Sequence, residues 1–574
     1  MAFDKLIDSV QLEAAITATA DAIRAKNNTT DPIEWTESEG FADAVSSIRT
    51  GGSDQNAVIF YDYDGTVLYS YSAEEALALT SMPELPTRDG LICQGWNWSL
   101  DSMKVCIDKC GTCDIGATYI TDDGKTRLYI TIAAEGRMDV PISFYQSIRD
   151  GVVIDWGDGS PIQTVSGLNN AYATTHTYDE VGEYVITLNP DPTCDLTLGS
   201  GSYGIIGTHT SSATSVYQNM LQKVEIGTNV RSIYTKAFYN CYSLTSITIP
   251  QGVTSIGDDD FGNCHSLTSI TIPQGVTSIG DSAFYNCCSL ASIAIPEGVT
   301  SIDRYAFRNC YSLTSITIPQ GVTSIGAAFD GCHSLTSVTI PQSVTSVNNN
   351  AFYNCSSLTS VTIQQGVTSV GNNAFYNCYS LTSIAIPEGV TSIGSSAFYN
   401  CYPLTSMAIP ESVTSIGDSA FYNCYSLTSI AIPEGVTSIG NSAFYNCYPL
   451  TSMAIPESVT SIGNSAFYNC RSLTSITIPE GVTSIGKTAF DSCYSLTSIV
   501  IPQGVTSINS NTFYRCYGMT FYDFSSHTVV PTLENSNAFT NIPSDCEIRV
   551  PAALYDEWIA ATNWSTYASQ IVAV

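Results

Sequence analysis

The feature that most constrains this chain is a ladder of cysteines in its second half. Cysteines recur every 23 residues from Cys241 to Cys310, the next step to Cys332 is 22 residues, and steps of 23 then continue to Cys516. A typical copy is SAFYNCYSLTSIAIPEGVTSIGN, residues 419–441. Repeats of ~20 to 29 residues are typical of solenoids, in which each unit forms one coil and buries its apolar side against its neighbours.

Each copy contains two apolar stretches that are expected to point into the coil. Leu427, Ile430 and Ile432 follow the L-x-x-L-x-L spacing, which puts three side chains on one side of a short strand. Pro433 ends this strand, and the chain turns at the next glycine before a second inward-facing stretch that begins at Val436. The copies therefore predict coils that are lined from two sides.

The A-F-Y-N-C segment of each copy is expected to close the coil. Ala443 and Phe444 are expected to fill its end. Asn446 is interpreted as an inward polar group that bonds to loop backbone, and Cys447 as a small thiol that fills a tight gap.

The number of copies sets the length of the array. Strand signatures begin at Leu221 and recur up to a degenerate one at Met519, which predicts about fourteen coils, stacked one strand spacing, ~4.8 Å, apart. One copy, IGAAFDGC around Gly326, is a residue shorter, and we expect a local kink or a tightened turn there.

These copies, written AFYNCYSLTSITIPQGVTSIG, resemble the BspA-type leucine-rich repeats over residues ~220 to 525. The resemblance implies a leucine-rich-repeat solenoid and a surface adhesin or ligand-binding protein, many members coming from gut and oral microbes. It names no ligand, because a fold does not specify a function.

Four further segments surround the solenoid, which we assign to residues 199–525. Residues 1–50 are predicted to form a helical attachment segment, and their ITATADAIRAKNNTTDPIEW and GFADAVSSI stretches are similar to pieces of tail and virion proteins of phages that infect Gram-positive gut bacteria. The alternative is an amphipathic helical hairpin of any origin. Residues 526–574 are expected to cap the last coil with aromatic residues on a helical pattern, namely Trp558, Trp564 and Tyr567.

The region between the attachment segment and the solenoid contains strand signals. Residues 55–124 are predicted to form a small α+β module, because VIFYDYDGTVLYSY and the later TYITDDGKTRLYITI both place Asp-Gly between alternating apolar residues, which is typical of hairpins. Residues 125–198, with WGDGS and HTYDEVGEY, resemble a PKD-type immunoglobulin-like β-sandwich, a module that usually acts as a spacer. The predicted fold is therefore mainly β.

Composition excludes some classes of function. The net charge is −32, from 52 acidic and 20 basic residues, so a phosphate backbone would be repelled and nucleic-acid binding is excluded. The first 26 residues lack the apolar run of a secretion signal, and no apolar stretch is long enough to span a membrane, so neither a signal sequence nor membrane insertion is expected.

Two motifs point to catalysis or a metal. DYDGT, with Asp62 and Asp64, resembles the nucleophile motif of haloacid-dehalogenase phosphatases, but hairpin signals follow instead of the doubly wound sheet that those enzymes need. CIDKCGTC places three cysteines at a spacing that binds iron–sulfur clusters, and a fourth could complete a zinc site; core packing on a short helix is the alternative. These cysteines are Cys93, Cys106, Cys110 and Cys113.

A third motif, DWGDG, could hold calcium through Asp155 and Asp158, although the same residues serve a tight turn. The histidines are scattered, and His265 and His333, which stand where most copies have tyrosine, are interpreted as surface substitutions. We therefore expect no catalytic residues, no metal and no cofactor.

What remains is a polar, aromatic surface on the solenoid. Most copies carry a tyrosine after the phenylalanine and another after the cysteine, and tyrosine offers a large contact area together with a hydroxyl. The alternative is that these rings only stack on one another and stabilise the solenoid. The candidate ligand-binding residues are Tyr242, His265, Tyr311, His333, Tyr379, Tyr402, Tyr425, Tyr448, Arg471 and Tyr494.

Three hypotheses follow. The first is a phage tail-fibre or receptor-binding protein, located on the virion, which binds a host cell-surface glycan or protein through the repeats and other tail proteins through its N-terminus, and which could assemble as a homotrimer. The second is a bacterial surface adhesin of the BspA type. The third is an enzyme, either phosphatase-like or metal-dependent.

Overall fold

The computed structural model describes most of the chain outside its N-terminal part. The described residues are 58–61, 66–88, 91–96, 100, 103–104, 107, 113–121, 123–133, 138–166, 172–199, 204–206, 217 and 219–574. They fall into two compact units, one built from residues up to 83 together with 103–115, the other from 84–102 together with 116–574. The predicted helical segment, residues 1–50, lies outside the described residues.

The first unit contains a hairpin and a short helix. Strands β1 (Val58–Tyr61) and β2 (Val67–Tyr71) pair antiparallel, as the first hairpin signal predicts. Helix α1 (Ala73–Ala78) follows, and Ser72 begins it with a capping box, in which the Ser72 hydroxyl accepts the Glu75 N–H while the Glu75 carboxylate accepts the Ser72 N–H.

The second predicted hairpin is wrong. Strand β4 (Cys113–Thr121) pairs antiparallel with β3 (Leu91–Trp96), whereas β5 (Thr126–Ile132) joins a different sheet. The physical reason is burial, because alternate side chains of β5 from Thr126 to Ile132 are fully buried in the core of the second unit.

Two sheets in the second unit precede the solenoid. One contains β5, β10, β7 and β8, and the other contains β11, β6 and β9. Buried side chains from both, among them Leu128, Ile142 and Trp156, belong to one hydrophobic core. The immunoglobulin-like assignment of this region remains a prediction. The strands are β6 (Asp139–Gln146), β7 (Val152–Asp155), β8 (Gln163–Val165), β9 (Tyr172–Thr177), β10 (Gly182–Pro190) and β11 (Leu196–Leu198).

These two sheets continue into the solenoid without a break. The first strand of the first coil, β12 (Leu221–Glu225), pairs antiparallel with β5 and parallel with the next coil. The second strand of that coil, β13 (Val230–Ile233), pairs parallel with β11. A spacer joined by a linker would not share sheets in this way, so the region instead covers the open end of the first coil.

The solenoid consists of two parallel ladders of short strands, in which the same position of successive copies pairs in register. Ser360 pairs with Ser383, for example, and Ile439 with Ile462. The first ladder comprises β14 (Ser246–Thr248), β16 (Ser269–Thr271), β19 (Ser337–Ile340), β21 (Ser360–Ile363), β23 (Ser383–Ala385), β25 (Ser406–Met407), β27 (Ser429–Ile430), β29 (Ser452–Ala454), β31 (Ser475–Thr477), β33 (Ser498–Val500) and β35 (Phe521–Asp523).

The second ladder is formed by the second apolar stretch of each copy. It comprises β15 (Ser255–Ile256), β17 (Ser278–Ile279), β18 (Ser301–Ile302), β20 (Ser346–Val347), β22 (Ser369–Val370), β24 (Ser392–Ile393), β26 (Ser415–Ile416), β28 (Ser438–Ile439), β30 (Ser461–Ile462), β32 (Ser484–Ile485), β34 (Ser507–Ile508) and β36 (Thr532–Leu533).

The interior of the coils matches the predicted pattern. The repeated leucine, valine, alanine, phenylalanine and cysteine positions are buried, and the phenylalanine rings stack with centroids 5.3–5.7 Å apart. The Cys447 thiol donates to the Phe421 carbonyl oxygen of the preceding coil at 3.3 Å. Burial raises the pKa of Cys447 well above its usual range, so this thiol is a packing group and an unreactive one.

The predicted hydrogen-bond partner of the repeated asparagine is wrong. Asn446 Nδ2 donates to the Asn423 side-chain Oδ1 at 2.8 Å, so the asparagines bond to one another from coil to coil rather than to loop backbone. The reason is conformational, because Asn446 has φ +61°, in the left-handed region that asparagine tolerates. In the shortened copy Gly331 takes this place with φ +75°.

The ladder also continues beyond residue 525, where only a cap was expected. Strands β37 (Glu547–Val550) and β38 (Ile571–Ala573) extend the first ladder in parallel, so the solenoid has about 15 coils rather than fourteen. The EIRV sequence of β37 lacks the L-x-x-L-x-L spacing, which is why the pattern missed it.

Few helices are present, and those near the C-terminus carry the aromatic residues expected of a cap. Trp558, on helix α2 (Tyr555–Ala560), and Trp564 are fully buried and pack against Phe524 at centroid distances of 5.4 and 5.5 Å. Short 3₁₀ turns occupy Ser536–Phe539, Ala552–Leu554 and Trp564–Tyr567. In the described part of the chain, no helix has the length and apolar character needed to cross a bilayer.

Candidate functional site

The candidate ligand-binding residues all lie in one column of the solenoid, which we call the post-cysteine column. It consists of the residue after each ladder cysteine, and backbone hydrogen bonds between successive coils keep these positions aligned; Ser426 N–H donates to the Tyr402 carbonyl at 3.1 Å, for example. In chain order the column is Tyr242, His265, Cys288, Tyr311, His333, Ser356, Tyr379, Tyr402, Tyr425, Tyr448, Arg471, Tyr494 and Tyr517.

Four successive tyrosines form the most regular part of this column. The centroid distances from Tyr379 to Tyr402, Tyr425 and Tyr448 in turn are 5.1, 4.8 and 5.1 Å, and all three pairs are stacked. Each inner ring therefore covers the face of its neighbours and presents its edge and hydroxyl to solvent. Burial, reinforced by the neighbouring phenols, raises the pKa of Tyr402 and Tyr425, so these hydroxyls remain hydrogen-bond donors at neutral pH.

Three of the substitutions in the column keep a ring or cation–π contact with a neighbouring tyrosine. The His265 ring lies 5.0 Å from the Tyr242 ring, and the guanidinium of Arg471 lies 4.7 Å from the centroid of Tyr448 and 5.6 Å from that of Tyr494. His333 meets Tyr311 edge-on at 5.0 Å. These residues change the charge and the hydrogen-bond donors at their positions in the column, while each still contacts a neighbouring ring.

A second aromatic column was not among the predicted site residues. It consists of the residue after each phenylalanine, and six of its tyrosines stack at 4.3–4.8 Å with nearly parallel rings. Burial raises the pKa of Tyr399 to about 12. Tyr376 of this column interacts electrostatically with Tyr379 and Tyr402, so the two columns adjoin. The repeated F-Y-N-C sequence is the pattern that could have revealed this column. The six stacked tyrosines are Tyr353, Tyr376, Tyr399, Tyr422, Tyr445 and Tyr468.

The motifs that suggested catalysis or a metal are described only in part. Asp62, Asp64, Cys106 and Cys110 lie outside the described residues. Cys93 lies on β3 and is partly exposed. Among the residues that the structure places, no group of three or more histidine, cysteine, aspartate or glutamate side chains is arranged to hold a metal ion.

The two aspartates of DWGDG hold a turn together. Asp155 Oδ1 accepts the Gly157 N–H at 3.0 Å, Asp158 Oδ1 accepts the Ser160 N–H at 2.9 Å, and Asp158 Oδ2 lies 2.6 Å from His176 Nε2. Burial alone would raise the pKa of Asp158, but the hydrogen bonds from Ser160 and His176 lower it to about 2. These contacts correspond to the tight turn that was the alternative to calcium binding.

A shallow polar groove of about 380 Å³ runs along the second ladder, near Asp418, Asn441 and Asn464. Asp418 Oδ1 accepts the Asn441 N–H at 2.7 Å, and Asn441 Oδ1 accepts the Asn464 N–H at 2.8 Å. These side-chain oxygens are used in holding adjacent coils together, so the groove is explained by the architecture of the solenoid.

Two solved structures of leucine-rich-repeat proteins are similar to this chain. A leucine-rich repeat protein from Bacteroides ovatus is 32% identical over 60% of this chain and 88% of its own, with a TM-score of 0.53. A leucine rich cell surface protein from Faecalibacterium prausnitzii is 36% identical over 48% of this chain and 87% of its own, with a TM-score of 0.37. No curated protein matches the chain.

The family assignment rests on the repeats themselves. Residues 212–328, 326–451 and 437–554 match the BspA type leucine rich repeat region, and together they cover more than half of the chain. Solenoid proteins of this kind are typically non-catalytic binding proteins, and the BspA-type members are typically located at the cell surface or outside the cell. The chain therefore belongs to the BspA-type leucine-rich-repeat family.

Proposed function

We propose that this chain is a non-catalytic binding protein that recognises a glycan or protein on a bacterial cell surface through its post-cysteine column. The observation that carries the proposal is the stacked, solvent-facing run of tyrosines from Tyr379 to Tyr448, which Arg471 continues. A pre-stacked aromatic edge loses little conformational entropy on binding, and its hydroxyls supply directional hydrogen bonds.

We further propose that the chain is located on a phage tail. This proposal is supported by the similarity of residues 1–50 to phage tail and virion proteins. We propose that the same residues contact other tail proteins and hold three copies of the chain together as a trimer. The BspA-type membership favours a second candidate, an adhesin on a bacterial surface. Immunogold labelling with an antibody to the chain separates the two candidates. Label on phage tails supports the tail protein, whereas label on the bacterial envelope contradicts it and supports the adhesin. Light scattering of the full chain tests the trimer.

Binding itself is tested by retention of the full chain on purified bacterial cell walls. Replacing Tyr402, Tyr425 and Tyr448 together by alanine is expected to abolish retention, because it removes the central run of hydroxyls and ring edges. The control is Asn441→Ser with Asn464→Ser on the second ladder, which leaves the column intact and is expected to keep retention. Failure of the parent chain to bind any cell wall, or equal loss in the control, would contradict the proposal.

A further inference from the structure

One position of the post-cysteine column interrupts the stack between two aromatic residues. Ser356 stands between His333 and Tyr379, where the neighbouring coils carry rings. The Ser356 hydroxyl donates to the His333 carbonyl oxygen at 3.3 Å, so its short side chain lies against the backbone of the preceding coil. The column therefore has a gap at Ser356, with an aromatic ring on either side.

The gap has the dimensions of one ring. Successive tyrosine rings in this column are 4.8–5.1 Å apart, so one missing ring leaves the two flanking positions about two strand spacings, ~10 Å, apart. A ring placed midway between them would lie ~5 Å from each, which is the centroid spacing of the stacked tyrosines.

The group at its base distinguishes this gap from the other one in the column. A second gap, at Cys288, keeps a thiol at its base that donates to the Asn286 carbonyl oxygen at 3.3 Å. The Ser356 gap is therefore the one with a hydroxyl at its base.

The surroundings of the gap are polar on the sides that the walls leave free. Tyr353 stands in the same coil as Ser356 in the adjoining column and brings a second hydroxyl. Asp330 of the preceding coil is buried and paired with Arg308 at 3.0 Å, so the hydroxyls and the His333 ring are the polar groups of the gap. A tyrosine ring on one side, a histidine ring on the other and hydroxyl groups between them match a pyranose, which has two apolar faces and a rim of hydroxyls. An aromatic side chain of a protein would instead place an apolar edge against the Ser356 hydroxyl.

We propose that the gap at Ser356 is a subsite for a single pyranose residue of a glycan, held between His333 and Tyr379. This inference rests on the proposed function and adds to it the class of ligand and the position in the column that selects it. An apolar face of the sugar packs on the Tyr379 ring, and its hydroxyls bond to the Ser356 hydroxyl and to the His333 ring nitrogens.

The test is binding of the full chain to an array of microbial cell-wall and mucin-type oligosaccharides. Ser356→Tyr restores the residue most copies carry, closes the gap, and is expected to weaken binding by about tenfold or more. Ser415→Tyr is the matched control, because it places the same side chain on an exposed serine of the second ladder, outside the column, and leaves Ser356 open; binding is expected to be unchanged. Circular dichroism and thermal unfolding establish that both variants fold like the parent.

Each outcome separates this inference from the proposed function. Equal binding by Ser356→Tyr and the parent, or equal losses in both tyrosine variants, would overturn the subsite and leave the wider column as the binding surface. Retention on cell walls with no binding to any oligosaccharide would also overturn the subsite, and would favour a surface protein as ligand. No binding to cell walls or oligosaccharides would remove both proposals.

Discussion

The coils on the two sides of Ser356 differ in how uniform they are. From Tyr376 to Tyr468 each coil repeats its neighbour almost residue for residue, and both tyrosine columns are regular. Before Ser356, the coils contain a buried aspartate at Asp260, the Arg308–Asp330 ion pair and a shortened copy. The uniform coils keep one stacking pattern throughout, whereas the earlier coils carry the charges and gaps that can distinguish one ligand from another.

The largest expected effect tests whether the uniform coils are the better packed. Phe444→Ala should lower the free energy of unfolding by about 3–5 kcal/mol, because it leaves a cavity in the phenylalanine stack. Phe307→Ala should cost about as much, since its neighbouring rings are 5.3 and 5.7 Å away and those next to Phe444 are 5.4 and 5.5 Å away. Urea unfolding of both variants measures the two losses, and a clearly larger loss for Phe444→Ala would show that the uniform coils are the better packed.

The next prediction concerns the buried Asp260, which stands where the following coil has Ala283. Burial raises its pKa to about 8, far above the value in an unfolded chain. The folded protein therefore retains this proton to higher pH than the unfolded chain, and the free energy of unfolding falls by about 1.4 kcal/mol per pH unit as pH rises from about 4 towards 8.

Asp260→Ala should remove this dependence, so that between pH 4 and pH 6 the variant gains about 2–3 kcal/mol on the parent. Below pH 4 the variant should be the less stable, because alanine cannot accept the Gly257 N–H that Asp260 Oδ2 accepts at 2.6 Å. Thermal and urea unfolding at pH 4, 6 and 8 measure it. Asp418→Ala, an exposed aspartate of the uniform coils, is the control and should show no such gain. A variant whose stability follows the same pH profile as the parent would show that Asp260 is ionised in the folded protein.

The smallest effect lies in the tyrosines. Tyr422→Ala should destabilise the protein by about 1 kcal/mol, because the ring stacks on Tyr399 and Tyr445 at 4.4 and 4.3 Å. Tyr285→Ala should cost less, since the same column has Gly262 and Arg308 on either side of it. Equal costs at the two positions, measured by urea unfolding, would mean that stacking contributes nothing beyond burial.

The sequence is sufficient to predict the interior of the coils, because Leu427, Val436 and Phe444 repeat at a fixed spacing and each has one place to be buried. It does not predict the asparagine ladder, since the bond from Asn446 to Asn423 exists only when coils stack and the backbone adopts a left-handed conformation. The pairing of β5 with β12 is a contact between distant segments, which no local pattern contains. The candidate residues were predictable as a column, but the gap at Ser356 depends on the spacing of rings in three dimensions.

The continuity between β5 and β12 has a consequence for how this protein can change over generations. The first coil is committed to the preceding sheets, and Trp558 and Trp564 cover the other end of the array, so a coil added at either end would have to replace specialised contacts. An added coil in the middle meets two identical neighbours. Residues 388–433 and 434–479 are copies of one two-coil unit that differ only at 395/441, 418/464, 425/471 and 431/477. The array is therefore suited to lengthening from within by duplication, and the exchange of Tyr425 for Arg471 is a case of a new copy acquiring a different surface residue.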